Sequence, residues 1–119
     1  MQSIDLQAHT YEERHGLVPS LTAMVSHCGA WITDRRTISA TTLELRLEIQ
    51  LRSAMDLYAA LLSTGLELTR RGHQSMVDLC NCQRYLATGE AKLITIRLEL
   101  AFLEDITLHS LLFGQPHFA

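Results

Sequence analysis

Thr42-Leu43-Glu44-Leu45-Arg46-Leu47-Glu48-Ile49-Gln50-Leu51-Arg52 alternates apolar and polar side chains almost without fault. A second stretch, Lys92-Leu93-Ile94-Thr95-Ile96-Arg97-Leu98-Glu99-Leu100-Ala101-Phe102, repeats the pattern. Successive side chains on a strand point to opposite faces. Each stretch therefore carries one apolar face and one charged face, as in an antiparallel sheet covered on one side only.

Outward from these strands, Ile4, Leu6, Ala8 and Thr10 alternate with polar neighbours and predict a first strand over 3–11. After the polar turn Glu12–Gly16 the period changes. Leu17, Leu21, Met24, Val25 and Cys28 fall on one helical face. Pro19 suits the first turn of that helix, where a missing N–H matters little. Gly29 suits its end, because glycine accepts positive φ. Residues 30–39 predict a second strand whose poor alternation and charges fit a sheet edge. Ser53 with Asp56 resembles a helix cap, for a helix running to about Thr64 and stopping at Gly65. Leu66–Thr69 reads as a short strand or a loop, and Arg70-Arg71-Gly72 as a break. Ser75 with Asp78 offers another cap, for a helix to about Ala87, and Thr88-Gly89-Glu90 turns the chain into the last strand.

The order β-α-β-β-α-(α)-β predicts an α+β, ferredoxin-like sandwich: a four-stranded antiparallel sheet with helices on one face. In that topology the first strand lies between the third and the last. Asp5 then meets the charged rows of Arg46, Glu48, Arg97 and Glu99, and opposite charges on neighbouring strands favour that register. Residues 1–105 form one domain in this reading. Residues 106–119 form a C-terminal tail, whose Leu108, Leu111, Leu112 and Phe113 make a docked turn or contact a second subunit.

The chain has 119 residues, enough for one domain with a genuine core, and 47% of them are apolar. Its formal net charge is -3 with no basic run, which argues against nucleic-acid binding and against anionic membranes. Three cysteines, an odd number, with no basic and apolar leader at Met1–Asp5 suggest reduced thiols and a cytoplasmic location. No apolar run reaches the roughly 18 residues of a membrane span.

Catalytic signals are absent from the pattern. Cys80-Asn81-Cys82 places two thiols on different sides of a helix, poorly set to clasp a metal. The six histidines make no HxxH or HxxxH spacing. Arg35-Arg36 and Arg70-Arg71 are short basic pairs that read as solvated surface or, less readily, as a phosphate contact. No GxSxG, HExxH or Gly-rich phosphate loop occurs. No catalytic residue, metal or cofactor is therefore predicted, and an enzyme ranks below a binding module.

Glu13-Arg14-His15-Gly16-Leu17-Val18, followed after one helix by Gly29-Ala30-Trp31-Ile32, resembles the ACT domain family. Those regulatory modules begin with a strand, then Asp-Arg-Pro-Gly-Leu-Leu, then a helix ending in Gly-Ala-Asn-Ile. Here Glu13 stands for Asp, His15 for Pro and Trp31 for Asn. The resemblance implies a homodimer or larger oligomer that binds an amino acid or similar small carboxylate at the turn before the first helix. The N–H groups of Gly16, Leu17 and Val18 would hold the acid, because a helix N-terminus presents unpaired donors. Glu13 would meet an ammonium, and His15 would add a pH-sensitive donor. The alternative is a protein–protein interaction or oligomerisation module with no small ligand.

Overall fold

Leu43, Leu45, Leu47 and Ile49 are buried to within 1% of complete, and so are Ile94, Ile96, Leu98, Leu100 and Phe102. The two alternating stretches thus turn the same face inward, and they lie side by side. The structure, a computed structural model, describes residues 2–85 and 92–103. The strands are β1 (Gln2–Thr10), β2 (Trp31–Thr37), β3 (Thr42–Gln50), β4 (Glu67–Leu68) and β5 (Leu93–Phe102). The helices are α1 (Arg14–His27), α2 (Ala54–Ser63) and α3 (Arg70–Tyr85), with a 3-10 turn at Leu51–Ser53 before α2. The predicted tail 106–119 and the turn Thr88-Gly89-Glu90 lie outside the described residues.

The fold is α+β, as predicted, but the sheet is five-stranded and mixed. Its order is β2-β3-β5-β1-β4. The predicted four-stranded antiparallel arrangement is corrected in two respects. The last strand, not the first, lies beside β3, and β1 runs parallel to β5 with Asp5 opposite Arg97. The short Leu66–Thr69 segment supplies the fifth strand, pairing Ala8 with Leu68 and His9 with Glu67. Alternation fixes which face of a strand is buried. It is silent about which strand sits next to it. β5 carries the more continuous apolar face, whereas β1 offers only Leu6 and Ala8 fully inward with Ile4 half-buried. The strand with more to bury takes the interior position, covered on its inner face and paired along both edges.

Leu17, Leu21 and Val25 of α1, Leu57 and Leu61 of α2, and Met76 and Leu79 of α3 join the inward strand residues in one core. Tyr58 and His73 bond across α2 and α3 at 2.6 Å. None of the helices among the described residues is long and apolar enough to cross a membrane.

Several helix ends differ from the sequence reading. α1 begins at Arg14, so Pro19 sits inside the helix rather than in its first turn. Met24, on the expected core face, is exposed. Ser53 precedes α2, but its side chain makes no capping bond. α3 begins at Arg70, five residues before the predicted cap at Ser75. Its first turn is held by Thr69, whose hydroxyl accepts from the Gly72 N–H at 3.0 Å. Arg70-Arg71-Gly72 is therefore the start of a helix and not a break. One cap bond outweighs the modest helix penalty of a single glycine. Gly29 and Gly65 end α1 and α2 with φ of 82° and 87°, as their positions predicted.

The outer sheet face is charged. Glu44 opposes Glu99 and Arg46 opposes Arg97, two like-charge pairs. The side chains resolve this diagonally. Glu44 bonds Arg36 at 2.9 Å and Arg97 at 3.3 Å, and Arg97 also reaches Asp5 at 3.1 Å. One chain of ion pairs thus crosses β2, β3, β5 and β1. Glu44 lies beneath two guanidinium groups and is 7% exposed, unusual for a residue on a wet face. An ordinary exposed pair contributes ~0–1 kcal/mol, and a shielded carboxylate with two partners contributes more. Glu44→Ala is expected to cost about 1–2 kcal/mol in a urea titration, and Glu48→Ala within about 0.5 kcal/mol. Equal effects would show that the ion-pair chain adds no stability.

Candidate functional site

The six residues of the predicted ligand turn have separate fates. Glu13 is the N-cap of α1, exposed and without a side-chain capping bond. Its carbonyl accepts from the N–H groups of Gly16 at 3.2 Å and Leu17 at 2.9 Å. Two of the three donors assigned to a carboxylate are thus already engaged inside the helix. Leu17 and Val18 bury their side chains in the core. Arg14 donates to the Ala40 carbonyl at 2.9 Å and lies 4.7 Å over the Phe102 ring. His15 and Gly16 are exposed. Gly16 and Leu17 line a shallow depression of about 440 Å³ with Glu12, Ser20, Met24, Ser63 and Thr64, and no cation lines it.

Gly16 has negative φ, and a Cβ placed there meets nothing within 4 Å. Glycine is thus not demanded by backbone geometry or by a close approach within the chain. Gly16→Ala is expected to stabilise the protein by about 0.5–1 kcal/mol through helix propensity. Thermal denaturation checks this, and a loss of stability would mean that the turn needs glycine after all.

A different set of side chains converges between β1 and the start of α3. The chain reaches this point through β4, which ends after two residues. The Thr69 N–H then donates to the Gln7 carbonyl at 3.0 Å, as one last rung beside β1. α3 starts at once and stays close to the strand, because residue 72 is glycine. A Cβ there would lie 3.3 Å from Thr69 Oγ1 and 3.5 Å from the Gln7 carbonyl oxygen. Between helix and strand lies a cleft of about 420 Å³. Ser3, Asp5 and Gln7 line it from β1, Arg71 and Ser75 from α3, and Arg97 and Glu99 from the outer face of β5.

The charges in this cleft are of two kinds. Asp5 and Arg97 satisfy each other at 3.1 Å. Arg71 and Glu99 are both exposed, and neither forms an ion pair among the described residues. Among the described residues, the site therefore presents one uncommitted guanidinium and one uncommitted carboxylate. The sequence supplied Glu99 and Asp5 through strand alternation. It also supplied Arg71, in a basic pair that reads as solvated surface or, less readily, as a phosphate contact. A helix start placed at Thr69 instead of Ser75 was the missing signal that sets Arg71 beside β1.

The remaining candidates do not assemble. Burial, and then the nearby Asp56 charge, raise the Cys28 thiol above its ordinary value. Burial alone raises Cys80. Cys28 Sγ donates to the Asp56 carbonyl at 3.4 Å. Both thiols stay protonated at neutral pH, which is the wrong direction for a nucleophile. His9 pairs with Glu67 at 2.5 Å across β1 and β4. No three His, Cys, Asp or Glu side chains among the described residues group as a metal site.

No protein-family model matches the chain, and no curated protein or solved structure matches it significantly. The ACT resemblance therefore rests on its short motif alone.

Proposed function

We propose that the protein is a small binding module whose ligand is an amino acid or similar small carboxylate, held in the β1–α3 cleft. The single observation that carries this reading is that Arg71 and Glu99, each without an ion-pair partner among the described residues, line one cleft of small-molecule size. A zwitterion carries the complementary charges. Arg71 takes the carboxylate, since a guanidinium offers a planar fork of donors. Glu99 takes the ammonium, and Ser3, Ser75 and Gln7 supply neutral hydrogen bonds around them. The turn before α1 is the weaker location, with its donors engaged by Glu13 and with Glu12 beside it.

Calorimetric titration with individual amino acids is expected to give saturable binding for at least one. Arg71→Ala should weaken it about tenfold or more, through loss of a charge-assisted contact. Glu99→Gln should weaken the amino acid and spare the matching acid without its amino group. Flat heats for every amino acid, with the protein folded, would end this reading.

Self-association is the second reading, favoured by one observation. Trp31, the first residue of the edge strand β2, and Ile38, just beyond its last, are 42% and 48% exposed. Tryptophan is enriched among residues that anchor interfaces. Light scattering should give a dimer mass for the wild type and a monomer mass for Trp31→Ala combined with Ile38→Ser. A monomeric wild type would remove self-association from the account.

A further inference from the structure

The cleft described above has a wall of a particular kind, the outer edge of a β-strand. In a parallel ladder, alternate residues of a strand point both N–H and C=O toward the partner, and the others point both away. The Gln7 carbonyl accepts from Thr69, on the side away from β5. The odd-numbered residues of β1 therefore face outward. His9 is matched by Glu67 of β4, and Gln7 by Thr69 through its carbonyl alone. Beyond that rung, the N–H and C=O of Ser3 and Asp5 and the N–H of Gln7 have no backbone partner among the described residues. Ser3, Asp5 and Gln7 are also among the residues that line the cleft. At ~3.3 Å per residue the open stretch from Ser3 to Gln7 is about 13 Å long.

Exposed edges are normally blunted by bulges, charge or cover. β2, at the other side of the sheet, has both of the first two devices. Its register shifts between Ile32 and Asp34, and Asp34, Arg35 and Arg36 follow in a row. The open part of β1 has neither a bulge nor a basic residue. Among the described residues its cover is α3, which at this level presents Gly72 and Ser75 and leaves space beside the strand. The two edges of one sheet are thus treated differently: β2 carries a bulge and a run of charges, whereas the open part of β1 carries the single charge of Asp5 and lies beside the cleft.

We propose that the ligand of this cleft is the C-terminal end of an extended peptide, added as a strand to the edge of β1 with its terminal carboxylate on Arg71. This rests on the reading of the cleft as a carboxylate site. A segment parallel to β1 ends near Gln7, where Thr69 leads into α3 and Arg71. Its main chain pairs with Ser3, Asp5 and Gln7, the mode in which backbone bonds give affinity and alternate side chains give selectivity. A second copy of the chain fits less well. Pairing two Ser3–Gln7 edges about a twofold axis sets Asp5 against Asp5, a like-charge opposition.

The test uses the full chain, labelled with nitrogen-15, and four probes: tetra-alanine, its C-terminal amide, its backbone N-methylated form, and free alanine. Tetra-alanine is expected to shift the amide signals of Ser3, Asp5 and Gln7 and to bind about tenfold or more tighter than alanine. The amide and the N-methylated form should each bind about tenfold or more weaker than tetra-alanine. Ser3→Pro, which removes an outward N–H and none of the bonds to β5, should weaken tetra-alanine without lowering the melting temperature. If alanine binds as tightly as tetra-alanine, or if N-methylation changes nothing, strand addition is overturned and the small-carboxylate reading survives. If no probe and no amino acid binds, both are overturned.

Discussion

The pairing of β3 with β5 is the contact on which the rest of the molecule depends. It joins two strands whose inward residues, Leu43 to Ile49 and Ile94 to Phe102, are all essentially buried. Each such side chain contributes roughly 1.5–3 kcal/mol on leaving water. An exposed ion pair contributes ~0–1 kcal/mol. Burial therefore decides that these strands lie together over the helices, and the charges act within that constraint. They do so through Glu44, which links Arg36 and Arg97 and relieves the like-charge oppositions that the register creates. A shift by one residue would turn the leucines outward and bury the charges.

Placing β5 between β3 and β1 also settles where the sheet stops. β1 is left with one long neighbour and one two-residue neighbour. The early end of β4 follows from Thr69, which bonds Gln7 through its N–H and caps α3 through its hydroxyl. One residue thus ends a strand, starts a helix and opens the cleft between them. Core packing and binding surface are in this sense one construction. The helix that covers the sheet stands beside the edge that the sheet leaves unpaired.

Particular residues show what was legible in advance. The strands read over 42–52 and 92–102, which the structure ends at Gln50 and starts at Leu93, the helix stops at Gly29 and Gly65, and the edge character of β2 all follow from local chemistry: period, left-handed glycine, charge. Arg71 did not emerge, because its meaning depends on a helix start that Ser75 and Asp78 also offered, five residues later. The turn at Gly16 drew attention through a motif, yet its backbone donors serve the helix itself. A motif of six residues reports a local conformation, and a ligand site needs groups from several segments to converge.

By itself the sequence determined which side of each long strand is apolar, that the chain is α+β, and that one sheet face stays charged. These are properties of neighbouring residues along the chain, set by the twofold and 3.6-fold periods of strand and helix. Only the tertiary structure decided strand order, the parallel pairing of β1 with β5, and the placing of Arg71 and Glu99 around one cleft. Residues so far apart in sequence are brought together by competition among strands for the most buried position. That competition is between whole faces, and no local pattern records its outcome.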